Sequence, residues 1–177
     1  IAGGRSCHGD EGYQGTTTGK STQRLRTGHR DNHDEVISIL IANGAALDLR
    51  SHAGDSPLLA AISSGCLHIV KLLIQAGANV DIASHPAGEQ PGIGVEGQTP
   101  LIATASLGEP EIAEELLRAG ASTSPRDETG SNALDWARGS CDENPNFDCA
   151  ARTVRKRQVV KMLRTHVSSH GVKAASN

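Results

Sequence analysis

Apolar residues in this chain come in short clusters at helical spacing, and the clusters repeat. Val36, Ile37 and Leu40 share one face of a helix by their spacing, as do Ile69, Val70 and Leu73, and Ile112, Leu116 and Leu117. Each cluster runs into the same closing phrase. Leu40 to Ala45 (LIANGA) returns 33 residues later as Leu73 to Ala78 (LIQAGA), and Leu116 to Ala121 (LLRAGA) is a third copy, 43 residues further on. A second phrase keeps step with the first. Gly54 to Ala61 (GDSPLLAA) matches Gly97 to Thr104 (GQTPLIAT), and Gly130 to Ala137 (GSNALDWA) is a weaker version.

Each phrase predicts an element. Ser56 before Pro57, and Thr99 before Pro100, read as a helix N-cap followed by proline at the first helical position. Gly65 and Gly108 then stop a short helix, where a left-handed residue suits glycine. A second helix follows, and Gly77 and Gly120 end it. Pro110, Glu111 and Glu114 suit the positive start of the third unit's second helix, and Arg118 its end.

Two phrases recurring in register over about residues 19–165 resemble the ankyrin repeat, which carries a Thr-Pro-Leu-His-x-Ala phrase on a 33-residue period. The resemblance implies an all-α solenoid: stacked helix-turn-helix units, each preceded by a β-turn finger. Four units are expected, about 19–47, 48–80, 81–121 and 122–165, between a loose arm (1–18) and a polar tail (166–177). In the degenerate first unit Leu25 takes the turn-phrase Leu. The fourth places its first helix near Leu134 to Arg138 and its second near Val154 to Leu163. The motif's His is replaced by Leu59, Ile102 and Asp135. In the family that His ties neighbouring turns, so less rigid fingers are expected here.

The resemblance further implies a concave, protein-binding face of finger tips and first-helix surfaces. Carried over by register, its exposed places are Arg50, His52, Ala53, Asp55, Ser63 and Ser64 in the second unit. In the third they are Glu96, Gln98, Ser106 and Leu107, and in the fourth Asp127, Glu128, Ser131 and Arg138. Two inserts add to these. Ser84 to Glu96 is rich in Gly and Pro and reads as a loop on the finger edge; Gly139 to Thr153 carries Asp142, Glu143, Asp148 and the lone Phe147.

Composition narrows the picture. Aromatics make up 2% of a chain that is 37% hydrophobic, which favours thin aliphatic layers over one large core. A net charge of −3 gives no pull towards nucleic acid or anionic membrane. The richest apolar stretch, Pro57 to Val80, is broken by His68, Lys71 and Gln75, so no membrane insertion is expected. Four cysteines without a close pair suggest a reduced, intracellular protein, cytoplasmic or nuclear. An Ile start without a signal peptide suggests a fragment or excised domain.

The sharper chemical motifs fall short. Gly15 to Ser21 (GTTTGKS) resembles a phosphate-binding loop, but Gln14 holds the first glycine place and no apolar strand precedes it. Cys7, His8, His29 and His33 match no zinc spacing. No Ser-His-Asp or Cys-His set emerges. Cys66 is expected to be packed at a helix start, and Trp136 to belong to the core. The basic run Arg152, Arg155, Lys156, Arg157, Lys161 and Arg164 reads as the polar outer face of a capping repeat, with Val154, Val159, Val160 and Leu163 facing inward. An acidic partner, a nuclear-import signal or nucleic acid is its functional alternative.

The sequence therefore predicts a monomeric protein-interaction module, without enzymatic activity, cofactor or metal. Its rival readings are a targeting or regulatory domain from a larger enzyme, such as a kinase or ubiquitin ligase, and a structural spacer.

Overall fold

Short helices of six to nine residues are marginal alone and persist only where packing holds them. Five of the seven helices among the described residues are of that kind, and they are arranged so that each packs against its neighbours. The computed structural model describes residues 30–52, 54–85, 96–139 and 148–171. Among these residues the chain forms seven α-helices and no strand. They are α1 (Arg30–Ala42), α2 (Pro57–Ser63), α3 (Leu67–Gln75), α4 (Pro100–Leu107), α5 (Pro110–Arg118), α6 (Ala133–Arg138) and α7 (Asp148–Gly171). First helices α2, α4 and α6 pack side by side in one layer, and second helices α1, α3, α5 and α7 in the other. The core lies between the layers. Leu58, Ile62, Val70, Leu101, Ile112, Leu116 and Val159 are fully buried there.

The predicted helix starts are built as read. Ser56 Oγ accepts from Leu59 N at 3.3 Å and Thr99 Oγ1 from Ile102 N at 3.4 Å. Each helix end also has its glycine, with φ +69 at Gly65, +91 at Gly77, +74 at Gly108 and +90 at Gly120.

Gly108 is constrained twice. A Cβ added there would come within 3.1 Å of Lys156 Cγ and 3.3 Å of the Arg152 carbonyl oxygen, both on α7. One at Gly120 would meet nothing within 4 Å. Gly120→Ala is therefore expected to cost about 1 kcal/mol for its left-handed backbone alone. Gly108→Ala should cost about 2 kcal/mol or more, because a backbone carbonyl must also move. Urea denaturation of the two variants measures the difference.

The motif's missing His is explained position by position. Leu59 and Ile102 are buried at 3% and 1% exposure, so those places serve packing. Asp135 completes a capping box on α6. Asn132 Oδ1 accepts from Asp135 N at 3.0 Å, and Asp135 Oδ2 accepts from Asn132 N at 3.2 Å. The fingers are tied by other means, which corrects the expectation of looser fingers. Asn79 N donates to Asp48 Oδ1 and Ser122 N donates to Asp81 Oδ1, both at 2.9 Å, and His85 N and Glu128 N join adjacent fingers by donating to Gly54 O and Glu96 O.

Three further expectations change. Residues 148–153 are the first turns of α7 rather than loop, and the helix continues to Gly171, into the region read as tail. Val154 is 55% exposed. It lies nine residues, or two and a half turns, before buried Leu163, which puts the two on opposite sides of the helix. Cys66 is buried as expected, but it is disulfide-bonded. The reading of four reduced thiols is corrected accordingly. Thiol titration of the unfolded, unreduced protein should count at most two free thiols rather than four. Leu25, the phosphate-loop resemblance at Gly15 to Ser21, and Cys7, His8, His29, Cys141 and Phe147 all lie outside the described residues.

Candidate partner-binding face

The finger row begins from one repeated turn. In the second unit Ser51 N donates to Asp55 O and Gly54 N to Ser51 O, both at 2.9 Å. In the fourth, Asp127 N donates to Ser131 O at 3.1 Å and Gly130 N to Asp127 O at 2.9 Å. The third unit makes the same pair across a longer stretch: Ser84 N donates to Gln98 O at 2.8 Å and Gly97 N to Ser84 O at 3.1 Å. The two ends of the longer stretch are therefore held as in a turn without an insert. His85 N also donates to Gly54 O at 3.3 Å, and Glu128 N to Glu96 O at 3.1 Å, joining adjacent fingers. Residues 86–95 of the first insert and 140–147 of the second lie outside the described residues.

Most of the face expected from the sequence is accessible. His52, Ser63, Ser64, Glu128 and Arg138 are exposed, while Asp55, Glu96, Gln98, Ser106, Leu107 and Ser131 are partly so. Ala53 falls outside the described residues. Several side chains are already engaged. Arg50 donates from its guanidinium to Ala83 O, reaching from the second finger to the third. Ser64 Oγ donates to Ala60 O and Ser106 Oγ to Ala103 O, each at 2.9 Å, so these hydroxyls can offer a partner only their lone pairs.

Asp127 is not on the face. It is 6% exposed, and its carboxylate is turned into the finger. Oδ1 accepts from Thr129 N at 3.0 Å, from Thr129 Oγ1 and from Ser131 N at 3.1 Å; Oδ2 accepts from Trp136 Nε1. Burial alone would raise this carboxyl's pKa, but the hydrogen bonds from Thr129, Trp136 and Ser131 outweigh it and hold the group below the ordinary carboxylate value. The signal for this was local: an acid at a turn start, two residues before Thr and four before Ser, accepts hydrogen bonds from its own turn. Trp136 is partly buried beside the core, as expected, and Asp127 fixes its ring.

The basic run divides between inside and outside. Arg155 faces Glu109 at 3.7 Å, with side chains 14% and 6% exposed. Lys156 Nζ lies 3.4 Å from Trp136 O and 3.3 Å from Gly139 O, donating at the carbonyl end of α6. Arg157, Lys161 and Arg164 are exposed on the outer side of α7. Sequence reasoning missed another exposed set: Val36, Ile39 and Leu40 on α1, and Leu49 in the second finger, each more than half exposed. In register, Leu40 corresponds to Leu73 and Leu116, which are 4% and 0% exposed beneath their own first helices.

No group of His, Cys, Asp and Glu among the described residues could hold a metal ion, and no described helix is long and apolar enough to cross a membrane. Comparison with known proteins agrees with the stack. A family profile described as ankyrin repeats in three copies matches residues 29–84, and a single ankyrin-repeat profile matches residues 96–128. Over 126 residues the chain is 29% identical to the Transient receptor potential cation channel subfamily A member 1 homolog of Caenorhabditis elegans. That stretch is 71% of this chain and 9% of the relative.

Proposed function

The chain belongs to the ankyrin-repeat family, and from that premise we propose that it is a non-catalytic module binding a partner protein through its fingers and first-helix surfaces. The observation that carries this reading is the finger row itself. Backbone bonds join adjacent fingers, yet the side chains along them, from His52 and Asp55 through Glu96 and Gln98 to Glu128, remain accessible and vary in chemistry. A rigid row of unlike, half-exposed groups suits recognition of another protein surface. The likeness to a cation channel homolog covers 9% of that protein, so its channel activity does not carry over to this chain.

Each repeat touches only its neighbours, so the fold builds no central cleft for chemistry. The intracellular setting, cytoplasmic or nuclear, belongs to the same proposal; the Cys66 disulfide is the observation that weighs against it. A second reading, a targeting or regulatory domain within a larger polypeptide such as a kinase or ubiquitin ligase, is favoured by the small share of the relative that the chain matches.

The test is comparative capture from cell extract. Wild type is run beside a His52→Glu, Asp55→Lys, Ser63→Arg variant shown by circular dichroism to be folded. A protein retained by wild type and lost from the variant is the expected result. Identical captures would remove the finger-side reading.

A further inference from the structure

We propose that the outward face of α7 is a second docking strip, for an acidic helical segment of a protein partner. Residues 149–171 contain six Lys and Arg and no Asp or Glu, in a chain whose net charge is −3. A solvated capping face needs charge of either sign; one free of acids across more than six turns is a narrower choice.

The structure separates these cations by task. Arg155 is set against buried Glu109, and Lys156 against the carbonyl end of α6. Arg152 lies with its Cγ 3.4 Å from where a Gly108 Cβ would be, so its stem is packed on α4's end. Arg157 and Lys161 point outward at i and i+4, on the side opposite buried Val159 and Leu163, and exposed Arg164 follows at i+7. Neither Arg157 nor Lys161 makes an ion pair among the described residues. Val154 is 55% exposed, one turn before Arg157, and gives the strip an apolar end.

The spacing selects the occupant. Arg157 and Lys161 stand about 6 Å apart along one helix face, the same distance as two carboxylates at i and i+4 on a partner helix. An apolar residue one turn from those carboxylates would then meet Val154. Nucleic acid fits less well. The three cations cover about 10 Å of helix, and three neutralised phosphates give weak binding that vanishes at moderate salt. The apolar end would have no phosphate to meet. This surface is distinct from the finger side, so the inference stands apart from the reading given above.

The full chain is titrated, by fluorescence anisotropy, into a labelled peptide whose helix repeats Glu at i and i+4 with a Leu on the same face. Parallel titrations use the same peptide with Gln for Glu, a single-stranded DNA oligonucleotide, and vesicles containing phosphatidylserine. The Glu peptide should bind, and the Gln peptide should bind far less. Arg157→Glu, Lys161→Glu, Arg164→Glu together should weaken binding about 30-fold, from three exposed ion pairs lost. The milder Arg157→Gln, Lys161→Gln pair should weaken it in the same direction. The finger-side variant should leave it unchanged, so the two surfaces fail or succeed separately. Equal binding of the Glu and Gln peptides, or full binding by the charge-reversed chain, overturns the proposal. So does oligonucleotide or vesicle binding tighter than the peptide's. A dimer seen by light scattering and lost on charge reversal would make a second copy the occupant and equally overturn it.

Discussion

Replacing Asp127 by Ala is expected to destabilise the fourth unit by about 3 kcal/mol, because it removes a buried, ionised acceptor of four hydrogen bonds from a partly buried turn. Trp136 Nε1 and the Ser131 amide would both lose their partner, and the Trp136 ring would lose the contact that fixes it. Asp127→Asn retains the shape and one acceptor oxygen and should cost about half as much. The pH dependence has a definite sign. The folded carboxyl titrates below its ordinary value of 3.8, so its contribution is complete above that pH. It is lost as pH falls through the lower folded value. Urea midpoints measured from pH 6 downward should therefore fall below about pH 4 in wild type. In Asp127→Asn that portion of the decline should be missing. An Asn variant with the same acid slope as wild type would show that other carboxylates carry it.

Glu109→Ala is expected to be as damaging, at about 3–4 kcal/mol, since it removes a buried carboxylate facing a mostly buried guanidinium. Glu109 is 5% exposed and precedes α5, but its side chain caps no backbone amide of that helix; its carboxylate is turned to Arg155 of α7. A buried ion pair is strongly destabilising to break and often near neutral to replace as a whole. Glu109→Leu with Arg155→Met should therefore recover most of the loss. Because repeats stack through nearest-neighbour interfaces, the single variant should release α7 before the rest of the stack. Hydrogen exchange would show it as early loss of protection in α7 with α2 and α3 unchanged. Uniform loss across all helices would mean that the stack unfolds as one unit.

Both residues show where sequence reasoning stops. The solenoid was legible because its signals are local: Ser56 and Thr99 cap helices that begin on the next residue, and Gly65, Gly77, Gly108 and Gly120 adopt the left-handed backbone where the phrases end. The direction of a side chain depends on distant partners. Arg155 and Lys156 look like members of a solvated run until Glu109, Trp136 and Gly139 are brought beside them. Val154 was read inward because a Val near Val159 and Val160 looks like core, and only counting turns against Leu163 turns it outward. Asp127 was read as a finger-tip contact by register, although its neighbours Thr129 and Ser131 already carried the hint of an internally satisfied turn.

The third finger has a consequence for how such a chain can change. Ser84 and Gln98 are fourteen positions apart in sequence yet meet as closely as Ser51 and Asp55, which are four apart. The ends of the third finger are thus held like those of the turn from Ser51 to Asp55, and doubling the length between them is expected to add about 0.6 kcal/mol of loop-closure cost. Changes of length between His85 and Glu96 leave the backbone contacts of those two residues with Gly54 and Glu128 in place. The same property makes that stretch a natural port for grafting a foreign epitope or a sensor peptide, with both ends already anchored.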